Sequence, residues 1–256
     1  MPLGNILPTG QLFIFPVLST SPLPTRWQRR KEARPQELSA AALALFVEKG
    51  FAATRLEEVA ARAGVSKGTL YLYFDSKEAL FKAVVREGLV PLLAAGEELV
   101  ASSTLAAEDL FRAMVLTWWK QVALSPLGGL PKLIVSEARN FPELARFYSE
   151  EVIERAKRLM AKTLRRGVEN GEFRTLDPND LVHIVFSPLM MRLVWQHSLG
   201  CCGVPTLADE TFIREYTELM LRGLRADPPQ TGATRGALKP SAAATLPQRQ
   251  PKRSRS

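Results

Sequence analysis

From Pro35 onward the apolar positions of the chain recur every three or four residues, the period of a helix with one buried face. Leu38, Ala41, Ala42, Leu45 and Phe46 form the first stripe, and Gly50 stops it. Thr54-Arg55-Leu56-Glu57 has capping-box spacing and opens a second helix that closes at Gly64. Ser66 caps a short third helix, and Asp75-Ser76 opens a longer fourth through Leu80, Phe81, Val84 and Val85. The second half reads alike. Leu110 to Leu124 is a rich apolar helix, and Val152, Ala156, Leu159, Met160, Thr163, Leu164 and Val168 keep helical spacing up to Gly171. Asp177-Pro178-Asn179-Asp180 combines a capping Asp, a proline at the first helical position and an early acid. The helix it starts runs toward Gly200, with Pro188 as the expected kink. Thr206-Leu207-Ala208-Asp209 opens the last one, striped by Phe212, Tyr216, Leu219, Met220 and Leu224. With no strand alternation and no internal repeat, the pattern predicts an all-α fold of about nine helices.

The chain has 256 residues, 46% of them apolar, enough to bury a sizeable core. Its net charge of +8 is uneven: residues 1–35 carry +4, residues 226–256 carry +5, and the stretch between carries −1. Both ends are proline-rich and lack a helical stripe, so 1–31 and 226–256 are expected to be disordered, partly basic tails. The first 25 residues hold five prolines and no charge, which suggests that translation begins after Met1. The cysteines, Cys201 and Cys202, are adjacent and unsuited to pair with each other, which fits a reducing compartment, and the expected location is the cytoplasm. The best candidate for a membrane span, Leu12 to Leu18, is broken by Pro16 and far short of the ~18 residues required. No basic residue precedes it, as one would in a secretory signal.

Function concentrates in residues 54–81, TRLEEVAARAGVSKGTLYLYFDSKEALF. Two short helices meet at Gly64-Val65-Ser66, where Gly64 suits a left-handed turn. Val59 and Ala60 can pack against Leu70 and Phe74, and small alanines let the helices approach closely. This is a helix-turn-helix, which lays its second helix in the major groove of DNA. That helix presents Lys67, Gly68 and Tyr71 on one side, and Gly68 and Thr69 permit close approach to base edges or a thymine methyl. Tyr73 and Lys77 are placed to hold phosphates. The basic run Arg26-Trp27-Gln28-Arg29-Arg30-Lys31, just before the first helix, can serve as an arm to phosphates or a minor groove.

These residues resemble the DNA-binding domain of the TetR (tetracycline repressor-like) transcriptional regulators. The likeness rests on a helix, Gly-Phe, a Thr before the helix-turn-helix, then Gly-Val-Ser-Lys-Gly-Thr-Leu-Tyr-Leu-Tyr-Phe and Ser-Lys-Glu-Ala-Leu, over about residues 32–92. It implies a three-helix DNA-binding domain over 32–92 and a larger helical domain over 93–225 for effector binding and dimerisation. It also implies a homodimer built by the last two helices (about 178–199 and 207–224), double-stranded DNA as partner, and repression relieved by a small molecule. By the same resemblance, DNA contacts are expected from Thr54, Lys67, Gly68, Thr69, Tyr71, Tyr73 and Lys77. Ser66 and Arg55 complete the candidate set, although Arg55 departs from the small or polar residue usual at its position.

In the second domain the large, soft residues Trp118, Trp119, Met190, Met191 and Trp195, with His197 among them, form a candidate effector pocket. An ordinary helical core explains the same residues. Gly64-Val65-Ser66-Lys67-Gly68 spells the hydrolase nucleophile elbow, but a helix precedes it where that motif needs a strand. His197 and Cys201, four apart, would share a metal only if the helix ran through Gly200. No motif implies a cofactor, and no acid–base constellation implies an enzyme. The reading is therefore a DNA-binding regulator. The alternatives are a helical interaction module with no specific DNA target and a hydrolase using Ser66.

Overall fold

Helix α1 (Arg26–Lys49) carries the first apolar stripe and buries Leu38, Ala42, Leu45 and Phe46. It is followed by α2 (Leu56–Arg62), α3 (Lys67–Tyr71) and α4 (Lys77–Gly88). The computed structural model describes residues 26–204 and 207–226. Phe46, Phe51 and Phe81 stand at the centre of this first group, their ring centroids 5.2, 6.0 and 5.9 Å apart. Each buried ring contributes on the order of 2–3 kcal/mol of transfer free energy. The basic run Arg26–Lys31 lies inside α1, so the backbone is helical where a separate arm was expected. The rest of the expected N-terminal tail, and the C-terminal tail from residue 227, lie outside the described residues.

The second half begins with α5 (Val90–Ser102), which continues the line of α4 through Leu89. Helix α6 (Ala107–Trp118) runs on through a π turn, Trp119–Ala123, and a 3-10 turn follows at Pro126–Gly129. Then come α7 (Leu130–Glu137), α8 (Pro142–Tyr148), a second π turn at Ser149–Ile153 and α9 (Glu154–Glu169). Helix α10 (Pro178–Leu199) contains Pro188, and α11 (Asp209–Leu224) ends the described chain. Taken as continuous rods these make nine helices among the described residues, and the expected all-α class holds. The one strand-like pairing among them is an isolated bridge between Phe173 and Arg225.

The caps follow the sequence with two exceptions. Ser66, Ser76 and Asp177 each accept a backbone N–H at the start of their helix. Helix α11 starts after Ala208, which has no capping side chain, and Thr206 lies outside the described residues. Helix α2 starts after Arg55 rather than Thr54, for a reason given below.

Two apolar clusters hold the fold. The second joins α6, α9, α10 and α11 through Phe111, Trp119, Leu164, Val185, Leu193 and Leu221. The first surrounds the three phenylalanines but also takes in Leu130, Leu133, Leu144 and Phe147. It therefore crosses the boundary at 92/93 that the resemblance implied. Gly129 makes this close approach possible, because a Cβ there would stand 2.5 Å from the Val47 side chain of α1. Tertiary packing thus joins the helix-turn-helix unit to α7 and α8.

Candidate nucleic-acid interface

Thr54 is 2% exposed. Its hydroxyl lies 2.8 Å from the Gly50 carbonyl oxygen and 3.2 Å from that of Leu45. A hydroxyl turned back into α1 does not cap α2, and it anchors the loop where a contact with DNA was expected. Arg55 takes the cap position, and its backbone N–H donates to Glu58 Oε2 at 3.4 Å. Its guanidinium is left on the exposed surface. Lys49 to Glu58 (2.8 Å) and Arg62 to Glu48 (2.7 Å) tie α1 to α2 at the surface.

Lys77, from which a phosphate contact was expected, is also engaged by the protein itself. Its ammonium donates to three carbonyl oxygens of one loop: Phe51 at 2.7 Å, Ala52 at 3.1 Å and Thr54 at 3.0 Å. It also stands 4.6 Å from the centroid of the Phe51 ring. An ammonium has three donors, and all three are spent inside the protein. Lys77 thereby closes the loop between α1 and α2. Glu137 of α7 holds the same loop from the other side, accepting the Ala52 N–H at 3.1 Å, and Phe141 meets Phe51 edge-on at 4.8 Å.

The turn before α3 depends on Gly64, whose φ of +68° is a left-handed conformation that a side chain would strain. Ser66 Oγ accepts the Thr69 N–H at 3.1 Å and lies 2.8 Å from Thr69 Oγ1. Leu70 and Phe74 are buried against Val59 and Ala60, as their spacing predicted. Tyr73 is half-buried beside them. The opposite face consists of Lys67, Gly68, Tyr71 and Leu72, all exposed. Lys67 pairs with Glu57 and lies over the Tyr71 ring at 5.8 Å. That bond holds the Glu57 carboxyl below its usual range and raises the Lys67 ammonium. Leu72, which sequence reading passed over, is 82% exposed. The signal for it was present, because 67, 68, 71 and 72 share one helical face.

Gly68 is informative for what does not surround it. A Cβ built there would meet only Ser66 Oγ, at an ordinary 3.8 Å, and its φ is not left-handed. Glycine costs about 1 kcal/mol against alanine in a helix. No internal contact requires it, and the open surface it leaves permits close approach of another molecule to the helix.

The candidate pocket residues separate. Trp119 is buried and Trp118 and Met190 are half-buried in the second cluster, whereas Met191 is 57% and Trp195 45% exposed. Helix α10 has an inner and an outer side, and positions 191 and 195 fall on the outer one with Ile184, whereas Trp119 is buried. His197 is half-buried, and burial first, then the charge of Lys132, lowers its pKa. Ser66 lies at a helix start with no strand before it, unlike a nucleophile elbow. Among the described residues no three His, Cys, Asp or Glu side chains group as metal ligands. None of the described helices is long and apolar enough to cross a membrane.

A helix-turn-helix with one exposed, glycine-bearing face, packed on an all-helical second unit, defines a class of DNA-binding regulators. Comparison with known proteins makes it specific. Residues 38–84 match the model of the "Bacterial regulatory proteins, tetR family", and 105–199 match the "Tetracyclin repressor-like, C-terminal domain". The chain is similar to the HTH-type transcriptional repressor KstR2 of Mycobacterium tuberculosis, with 30% identity over 194 residues, covering 75% of this chain and 93% of that one. The Rhodococcus jostii KstR2 is 29% identical over 196 residues, covering 76% and 92%. The fold also matches the fatty acid degradation regulator FadR of Bacillus halodurans, with a TM-score of 0.63 at 23% identity, covering 76% of this chain and 97% of that one. The chain belongs to the tetR family of bacterial transcriptional regulators and acts as a DNA-binding transcriptional regulator.

Proposed function

We propose that the chain is a homodimeric repressor of a near-palindromic operator, acting in the cytoplasm and released by a small molecule. The observation that carries the DNA-facing part is Gly68, a helical glycine that the protein's own packing does not need. Around it, Lys67, Tyr71 and Leu72 supply a cation, a phenol and an apolar surface for base edges and thymine methyls. Arg55 and Tyr73 flank them toward the phosphates, and the Ser66–Thr69 pair sets the start of the helix. For the dimer, Ile184, Met191 and Trp195 expose an apolar stripe along α10, and Leu219 of α11 is 65% exposed. An isologous contact through that stripe matches the two-fold symmetry of a palindrome, with half-sites about one helical turn apart or somewhat more.

The test is selection of genomic fragments by the purified protein at about 150 mM salt, where non-specific binding is suppressed. An enriched palindrome is expected, with Leu72→Ala losing discrimination at one base position of each half-site by about 1 kcal/mol. Sequence-blind, salt-sensitive binding alone would refute the reading in favour of a helical interaction module.

A further inference from the structure

Folded proteins leave few buried polar atoms without a partner, and each one present needs a reason. Among the described residues there are five such side-chain atoms, and four fall in one region: Trp119 Nε1, Arg192 Nε, Gln196 Oε1 and His197 Nε2. Trp119 and Arg192 share a neighbour, and the other two follow Arg192 on the same helix. Trp119 lies 5.3 Å from the ring of Phe212, and the Arg192 guanidinium carbon lies 5.5 Å from the same ring. Gln196 follows Arg192 by one turn of α10, and His197 is the next residue. Trp119 is 3% exposed and opens the π turn Trp119–Ala123, a rare departure from α-helical register that is frequent at functional sites.

From this cluster, and on the reading of the chain as an effector-responsive regulator, we infer that the effector is an uncharged, largely apolar small molecule with a carbonyl oxygen that accepts from Trp119 and Arg192 and a hydroxyl or amide that donates to Gln196. The polarity of the orphan atoms sets this chemistry. Two are donors without an acceptor, and Gln196 Oε1 is an acceptor without a donor. Phe212 and the indole supply flat apolar walls for a ring. Charge argues against an acid. The guanidinium already donates through Nη2 to Asp209 Oδ1 at 2.8 Å and to the Leu207 carbonyl at 2.6 Å, so its charge is matched before a ligand arrives. A carboxylate beside it would compete with Asp209 and bring an unmatched buried charge. The other cation felt nearby, Lys132, acts on His197 at the end of the row, where burial also favours the neutral ring.

Three matched probes test this on the full chain by calorimetry and thermal shift: 4-hydroxyacetophenone, 4-ethylphenol, which lacks the carbonyl, and 4-hydroxybenzoate, which replaces it by a carboxylate. Binding at millimolar concentration is the range for fragments of about ten heavy atoms. The ketone is expected to bind about five- to tenfold tighter than ethylphenol, the effect of one satisfied hydrogen bond. Trp119→Phe keeps a ring and should erase that advantage while leaving ethylphenol binding alone. Its unliganded melting point should fall only by the lost ring volume, because the removed N–H had no partner. Gln196→Met should weaken both phenols equally. Equal binding of ketone and ethylphenol, an advantage that survives Trp119→Phe, tightest binding of the carboxylate, or no binding at all would each overturn the inference. Operator selection without any ligand is scored separately, so a failure here and a failure of the regulator reading are distinguishable.

Discussion

Replacing Lys77 by methionine separates a clamp from a phosphate contact, because the two roles move different observables. Methionine keeps the apolar stem and removes the ammonium. In the structure that ammonium serves Phe51 O and Thr54 O, both partly buried, and Ala52 O, which is exposed. Charge-assisted bonds to partly buried carbonyls contribute about 1.5 kcal/mol each. The exposed bond and the contact with the Phe51 ring together add about 0.5–1 kcal/mol. Lys77→Met should therefore destabilise the protein by about 3–4 kcal/mol. For a chain of this size that lowers Tm by roughly 6–15 °C. Urea or thermal unfolding reads it directly. Operator binding, measured well below the new Tm, should keep the salt dependence of the wild type. A phosphate contact would instead take about 0.9 from the salt slope per half-site, or about 1.8 for a dimer. Unchanged stability with a salt slope reduced by that amount would refute the clamp and restore Lys77 to the DNA surface.

Other consequences follow from the same contacts. Thr54→Val should cost about 1–2 kcal/mol of stability, since buried carbonyls lose their donor; operator affinity of the folded protein should not change, and a loss of affinity at full stability would contradict the anchor role. Glu57→Gln frees Lys67, so operator and non-specific binding should both tighten a few-fold at low salt and converge with wild type as salt rises; a tightening that persists at high salt would mean the pair does not compete with DNA. His197 is held below its ordinary 6.5, so the unfolded chain takes up its proton first as pH falls. Its contribution to stability is therefore constant above the unfolded value and is lost as pH drops from there to the folded one. His197→Gln should remove that part of the acid sensitivity, and identical pH profiles of unfolding in wild type and variant would show that His197 is not desolvated.

The helix periodicity, the caps at Ser66, Ser76 and Asp177 and the turn glycine Gly64 were legible because each is a local matter. A cap binds three residues ahead, and a left-handed φ belongs to one residue. The loop contacts of Thr54 and Lys77 are not legible in the sequence for the opposite reason. Their residue types suit DNA as well as they suit a loop, and the carbonyls that claim Lys77 lie 23 to 26 positions earlier in the chain. Met191 and Trp195 resembled pocket residues because a large apolar side chain in a helix marks a contact without saying with what. Leu72 was hidden by expectation: an apolar residue reads as core until its face is known.

By itself the sequence determined an all-α chain with a helix-turn-helix near its start, because helix period, capping and turn chemistry act over a few residues and repeat along the chain. Only the tertiary structure decided which polar groups are already spent. It gave the Lys77 ammonium and the Thr54 hydroxyl to one loop, left Gly68 without an internal reason, and left four unsatisfied atoms on Trp119 and the C-terminal half of α10. A donor can serve few acceptors at once, so availability for DNA or for an effector depends on partners that distance along the chain does not reveal.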